Sequence, residues 1–332
     1  MKLLKQREVL LAVLVVALIG LVGARAPVFL TPASLGNLLT DSTLLVMLAL
    51  TQMLVIVTRG VDLSVASNLA LSGMVAALLG AKFAGLPLPL VILAATVTGL
   101  LLGLVNGWLI GVLELPPIVV TLGTMSVYRG LVFVLSNGAW VSSHQMPADF
   151  IAFPLARLLG MTHLVWIAAA AVAVMAYVTR YTRFGRDLYA LGNAPVSARY
   201  IGISSSQRLL WTYGLSGMMA GLCGYLWVAR YAVAYTEIAY GFEFTVIAAC
   251  VIGGINIAGG VGTVAGAVLG ALFLAVINNA LPVMKVSPFW QSALTGIIIL
   301  TAVLINARGN RGGGRQILPL HLLQGQAKGS AA

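Results

Sequence analysis

The stretch FTVIAACVIGGINIAGGVGTVAGAVLGALFLAVINNALPVM, residues 244–284, runs 41 residues without a charged side chain. A helix needs roughly 20 apolar residues to cross the hydrocarbon core of a bilayer, so this stretch has length for two spans joined near 259–262. Seven more charge-free runs lie at 9–24, 42–58, 63–81, 83–113, 158–179, 209–229 and 286–307. Pro87 and Pro89 place the start of the fourth helix near Leu88. One further apolar stretch, between Glu114 and His144, is interrupted by Arg129. The fold class expected is therefore all-α, a polytopic membrane protein of about ten transmembrane helices.

Composition agrees. Hydrophobic residues make up 60% of the 332 residues and charged residues 8%, against about 25% charged in a soluble domain. Lipid must cover a surface so poor in charge. Cys223 and Cys250 both sit in apolar runs and read as small buried residues rather than a disulfide framework. Lys2, Lys5 and Arg7 before the run 9–24 resemble the start of a signal peptide. The run is longer than a usual signal core, and Pro27 would follow the cut, so a retained first span is expected.

Positive charge sets orientation. Lys2, Lys5, Arg7 and Glu8 net +2; the loop 180–208, with five Arg and Asp187, nets +4; Arg308, Arg311, Arg315 and Lys328 net +4. These segments hold 10 of the 11 net charges. Six spans before the loop and four after it place all three on one face, with both termini cytoplasmic. Without a soluble domain to carry a basic patch, nucleic acid is not an expected partner. Within the loop, Pro195 suits the first turn of a helix and Gly202 its end, so a short surface helix is expected at 195–201. A capped, arginine-flanked helix exceeds what orientation alone requires and points to partner docking.

Enzyme signatures are missing. His144, His163 and His321 have no metal-ligand spacing, and the eight acids form no obvious catalytic pair. The glycine-rich stretch 253–266 lacks the lysine of a phosphate loop. No cofactor is implied. Gly254, Ala258, Gly262, Gly266 and Gly270 recur every fourth residue, which suits close helix packing. The doublets at 253–254 and 259–260 can also break a helix. Asp62 either caps a helix starting near Leu63, pairs with Arg59, or serves function as an intramembrane acid. Arg129 is expected at a helix break by Gly130, paired or facing water. Uncharged polar groups recur inside the spans, among them Gln52, Asn68, Asn106, Thr121, Thr124, Ser126, Asn256, Asn278 and Asn279. Singly they suit interhelical hydrogen bonding; as a set they suit a path for a neutral hydroxylated solute.

Four motifs carry a family resemblance: GVDLSVAS (60–67), TLGTMSVYRG (121–130), FGRDLYALG (184–192) with its continuation to Gly202, and the glycine series from Gly253 to Gly270. In this order, over about residues 8–308, the chain resembles the integral permeases of the ribose, rhamnose and autoinducer-2 group of bacterial ABC importers. NLALSG (68–73) and GYLWVARYAVAY (224–235) are most similar to rhamnose permeases. Ala66, Asn193 and Asn256 depart from the usual pattern without changing the class.

The resemblance implies a permease domain at 1–310 and a flexible cytoplasmic tail at 311–332, in the bacterial inner (plasma) membrane. It implies three partners besides lipid: a cytoplasmic ABC ATPase, a periplasmic sugar-binding protein, and a second permease subunit, the same chain or a related one. Coupling to the ATPase is expected at Arg183, Gly185, Arg186, Gly192, Asn193, Ala198 and Gly202. The substrate path is expected at Gln52, Asp62, Asn68, Asn106, Thr121, Thr124 and Asn256, and docking of the binding protein at Arg230, Glu237 and Glu243. The expected cargo is a neutral monosaccharide, rhamnose first, then ribose or autoinducer-2. An ion-driven secondary transporter would instead keep titratable residues or broken helices near the midplane. An intramembrane enzyme would need a convergent nucleophile or metal set.

Overall fold

The computed structural model describes residues 2–285, residue 84 excepted, and scattered positions up to 300. Most of the expected last span, 286–307, and the whole tail, 311–332, lie outside the described residues. The long helices are α1 (Lys2–Arg25), α2 (Pro32–Val57), α3 (Val65–Lys82), α4 (Leu88–Gly111), α5 (Pro117–Ser136), α7 (His163–Tyr181), α10 (Ser205–Tyr231) and α12 (Val264–Val283). Short helices are α6 (Ala148–Leu155), α8 (Arg183–Asn193), α9 (Pro195–Tyr200) and α11 (Phe242–Ile252). Four two-residue strands, β1 (Val141–Ser142), β2 (Arg157–Leu158), β3 (Met161–Thr162) and β4 (Val233–Ala234), and two 3-10 turns, Pro27–Leu30 and Ser143–Gln145, lie between them. The protein is an all-α polytopic membrane protein.

Among the described residues, seven helices are long and apolar enough to span: α1, α2, α3, α4, α5, α7 and α12. Six of them precede residue 182, as the charge pattern required. At 27 residues α10 has the length, but its polar and glycine content keeps it out of that count. Hydrophobic all round, α2 is the central helix, with 94% of its apolar stretch buried. In α1, α4, α5 and α7 only 17–22% is buried, which leaves their flanks to lipid or a partner.

The run 244–284 differs from two full spans. It gives α11, 11 residues and about 16 Å long, then a turn region, then α12. Gly254, Gly259 and Gly260 have φ of 81°, 88° and 75°, in the left-handed region that favours glycine. The every-fourth-residue series is therefore no continuous helix face. Its last members do pack closely: a Cβ on Gly270 would lie 2.8 Å from Gly253 N. Cys250 Sγ donates to Ala49 O (3.3 Å), and Gly260 N to Val57 O (2.9 Å). So α11 and its turn descend alongside α2 to its C-terminal end. At 11 residues α11 is too short to cross alone, so this part of the run is a broken crossing instead of an intact helix.

Two faces are thereby defined. β1 pairs with β4, which joins the outer ends of α5 and α10. On the opposite face Thr263 Oγ1 donates to Glu8 Oε1, and Arg59 reaches α8. The basic N-terminal segment and the basic loop 180–208 thus share one face.

The tightest helix contact is between α4 and α10. Gly99, Gly103, Gly107 and Gly111 present one bare stripe, and Gly217 and Gly221 answer it. A Cβ on Gly103 would sit 2.9 Å from Gly217 Cα, and one on Gly221 3.0 Å from Gly99 Cα. Small residues four apart let membrane helices approach to backbone contact.

Candidate translocation and coupling sites

The expected path residues separate into two sets. Gln52, Asp62, Asn68, Asn106 and Thr121 are each 2% exposed or less. Most bind one another or the backbone. Asp62 Oδ1 accepts from Ser64 N (3.0 Å) and Ser64 Oγ (2.7 Å), and its Oδ2 accepts from Ser216 Oγ (3.0 Å). Asn106 Nδ2 donates to Ser64 Oγ (2.8 Å), Asn68 Nδ2 to Gly99 O (3.1 Å), and Thr121 Oγ1 to Val61 O (3.1 Å). This network ties the 58–64 turn to α4, α5 and α10. Helix α3 begins at Val65 behind Ser64, so Asp62 organises the turn before the helix rather than capping one at Leu63. Burial pushes its carboxyl above the usual carboxylate range, against the three hydrogen bonds that favour the charge. Gln52 is buried, with neither amide atom hydrogen-bonded among the described residues.

The second set is open. Thr124 is half-buried, and Ser126 beside it is exposed on α5. A Cβ at Gly123 or Gly130 would meet nothing within 4 Å. Helix α5 runs unbroken through Gly130, contrary to the break expected there, because the 20-residue helix keeps its ladder past that glycine. Arg129 is held instead by a hydrogen bond from Nη1 to Ile238 O (2.5 Å). It borders a cavity of about 440 Å3 lined by Met125, Ser126, Arg129, Tyr240, Glu243 and Phe244. Asn256 lies far from this cavity, in the turn below α11, where its Oδ1 accepts from Ala258 N (3.0 Å).

The expected docking residues also divide. Arg230 is paired with Asp41, which ties α10 to α2. Glu243 is 6% exposed and lines the cavity that Arg129 borders. Glu237 is the one of the three that stands exposed.

On the basic face the loop is more structured than one short helix. α8 begins behind Thr182, whose Oγ1 accepts from Gly185 N (3.1 Å). α9 starts at Pro195, and Gly202 ends it with φ 86°. Arg183 and Arg186 are exposed, while Gly185, Gly192 and Ala198 are buried against the body. Val196, Tyr200 and Ile201 are 67%, 87% and 75% exposed, an apolar ridge on a basic platform. The platform is tied inward. Arg59 Nε donates to Gly192 O (2.7 Å) and its Nη2 to Asn193 O (3.1 Å). Asn193 Nδ2 donates to Gly260 O (3.2 Å), and Tyr189 Oη to Gly262 O (2.9 Å). Arg59 therefore does not pair with Asp62. The α8 end, the α2 end and the turn under α11 form one hydrogen-bonded junction. Sequence reasoning missed Arg59 and Tyr189 in it, since partners more than 70 positions away leave no local signal.

The sequence profile of the family described as branched-chain amino acid transport system / permease component matches residues 34–303. The chain belongs to this permease family. It is 34% identical, over 91% of its length and 87% of theirs, to the autoinducer 2 import system permease proteins LsrC of Shigella flexneri and Escherichia coli (strain K12 / DH10B). The protein of the same name from Salmonella typhi is 33% identical over 91% of this chain and 86% of that one. No solved structure gives a significant match. The permease is thus a multi-pass inner-membrane protein of the ABC sugar importer group. The likeness supports the ribose and autoinducer-2 group, and does not single out rhamnose.

Proposed function

We propose that this permease is the conducting subunit of an ATP-driven importer for a small, neutral, hydroxylated solute, with an autoinducer-2-like solute now ahead of ribose and rhamnose. The reordering rests on the relatives, which are autoinducer 2 import permeases. The observation that carries the mechanism is the junction under α8. An exposed apolar ridge on a basic platform suits a groove on a partner ATPase, and the junction links that platform to α2 and to the broken crossing. A push on α9 would move the lower end of α11 as one body with α8. Arg183, Arg186 and the α9 ridge are the docking groups, while Gly185, Gly192 and Ala198 let α8 and α9 lie close to the body.

A second permease subunit completes the pair, and a periplasmic binding protein docks near Glu237 by a charge-steered contact. Uptake by proteoliposomes holding the permease, its ATPase and its binding protein tests the cargo. Synthetic autoinducer 2, D-ribose and L-rhamnose are offered beside L-leucine. Uptake of a hydroxylated solute without leucine uptake is expected; uptake of leucine alone would overturn the reading.

A further inference from the structure

Arg129 is costly where it stands. It lies about 18 Å along α5 from Pro117 and about 10 Å from Ser136, within hydrocarbon depth. A charge at such a depth is costly, so these residues persist where they meet a partner or a polar cavity. Here one Nη1 hydrogen bond to Ile238 O uses a fraction of the guanidinium's five donors. The guanidinium carbon also stands 5.7 Å from the centroid of Tyr240, whose ring side is 80% exposed as a residue. Glu243 lines the same cavity and forms no ion pair with Arg129 among the described residues. Arg129 and Glu243 both line the cavity, with Ser126 and the exposed Phe244 beside them.

This geometry matches one ligand class. Vicinal hydroxyls are read by a donor fork on one side and a carboxylate acceptor on the other. A flat aromatic ring suits the apolar face of a sugar-sized ring. The volume, about 440 Å3, is within the range of small-molecule sites. Gly123, Ser126 and Gly130 lie along α5 next to the same place, and a Cβ at either glycine would meet nothing within 4 Å.

Building on the proposed cargo, we infer that the cavity between α5 and residues 238–244 is a holding station for the solute in transit. Arg129 donates to its hydroxyls, Glu243 accepts from them, and Tyr240 covers its C–H face. The station lets the solute leave its binding protein without returning to bulk water.

The test is solute protection of an introduced thiol, in the assembled complex of permease, ATPase and binding protein. Cys223 and Cys250 are fully buried, so S126C supplies the accessible thiol on this chain. Its maleimide labelling rate is measured with and without synthetic autoinducer 2, D-ribose or L-rhamnose at tens of millimolar, with urea as the non-hydroxylated control. At least threefold slowing by one or more of the three solutes, none by urea, and loss of the slowing on adding E243Q are expected. Labelling untouched by all three solutes, or protection that survives both E243Q and R129Q, would overturn the station. Because labelling needs no turnover, its outcome is separate from that of the uptake assay.

Discussion

Substituting Gly192 by alanine tests whether the junction under α8 transmits motion. A Cβ there would sit 2.5 Å from Gly260 N and closer still to Val57 O. Both are backbone atoms and neither can swing aside. Restoring ordinary contact at 3.4 Å requires a separation of at least about 0.9 Å. The Arg59 bond to Gly192 O would stretch from 2.7 Å to about 3.6 Å, beyond hydrogen-bond range. The bond from Asn193 to Gly260 O, already 3.2 Å, would go with it. One charged and one neutral hydrogen bond together contribute about 2–4.5 kcal/mol. If the junction carries the stroke of the ATPase, coupled uptake falls at least about 30-fold. The assay is solute uptake and ATP hydrolysis, side by side, in proteoliposomes of known permease content. Gly36→Ala is the control, because a Cβ there meets nothing within 4 Å. Wild-type uptake by Gly192→Ala at normal membrane abundance would refute the reasoning.

Three further outcomes follow from other parts of the molecule. Arg186→Glu alters an exposed side chain whose one hydrogen bond among the described residues is to Tyr181 O, so insertion should be normal while uptake drops about tenfold; unchanged uptake removes this residue from docking. Gly103→Val sets a branched side chain 2.9 Å from Gly217 Cα and should cost about 1–3 kcal/mol, read as a lower unfolding midpoint in detergent; an unchanged midpoint argues against the α4–α10 contact. For Asp62 the sign is worked from burial: the raised carboxyl binds its proton more tightly folded than unfolded, so stability is fullest at acid pH and declines as pH rises through the folded pKa. Asp62→Asn should flatten that slope and insert normally, whereas Asp62→Leu, which strands Ser64 and Ser216, should lose about 1–3 kcal/mol per unsatisfied donor. Thermal unfolding across pH checks both, and a slope identical to wild type in Asp62→Asn would count against it.

Much of the fold was legible because bilayer physics is one-dimensional. Charge-free length located α1 to α4 and α7, the apolar stretch around Arg129 located α5, and arginine placement gave the shared basic face. Pro195 and Gly202 marked α9 because helix ends have local chemistry. What was not legible depends on partners distant in sequence. The series from Gly254 to Gly270 has the right spacing for a helix face, yet its doublets make a turn; spacing does not distinguish a packed stripe from a broken one. The Gly99 to Gly111 stripe carried the same signal and passed unnoticed. Polar residues such as Asn68 and Asn106 look alike in sequence whether they line a path or bind a neighbouring helix; here both are buried, bonded to Gly99 O and Ser64 Oγ. Glu243 is expected at the outer surface for docking, but it is 6% exposed and lines the cavity bordered by Arg129, whose Nη1 donates to Ile238 O.

The most direct test is of the driving force. The permease is reconstituted with and without its ATPase, with binding protein and labelled solute present, and uptake is followed with ATP inside or outside and with ionophores added. Uptake that requires the ATPase and ATP on its side, and that continues when proton and sodium gradients are dissipated, is the predicted result. Uptake that persists without the ATPase and collapses with the gradient would contradict it.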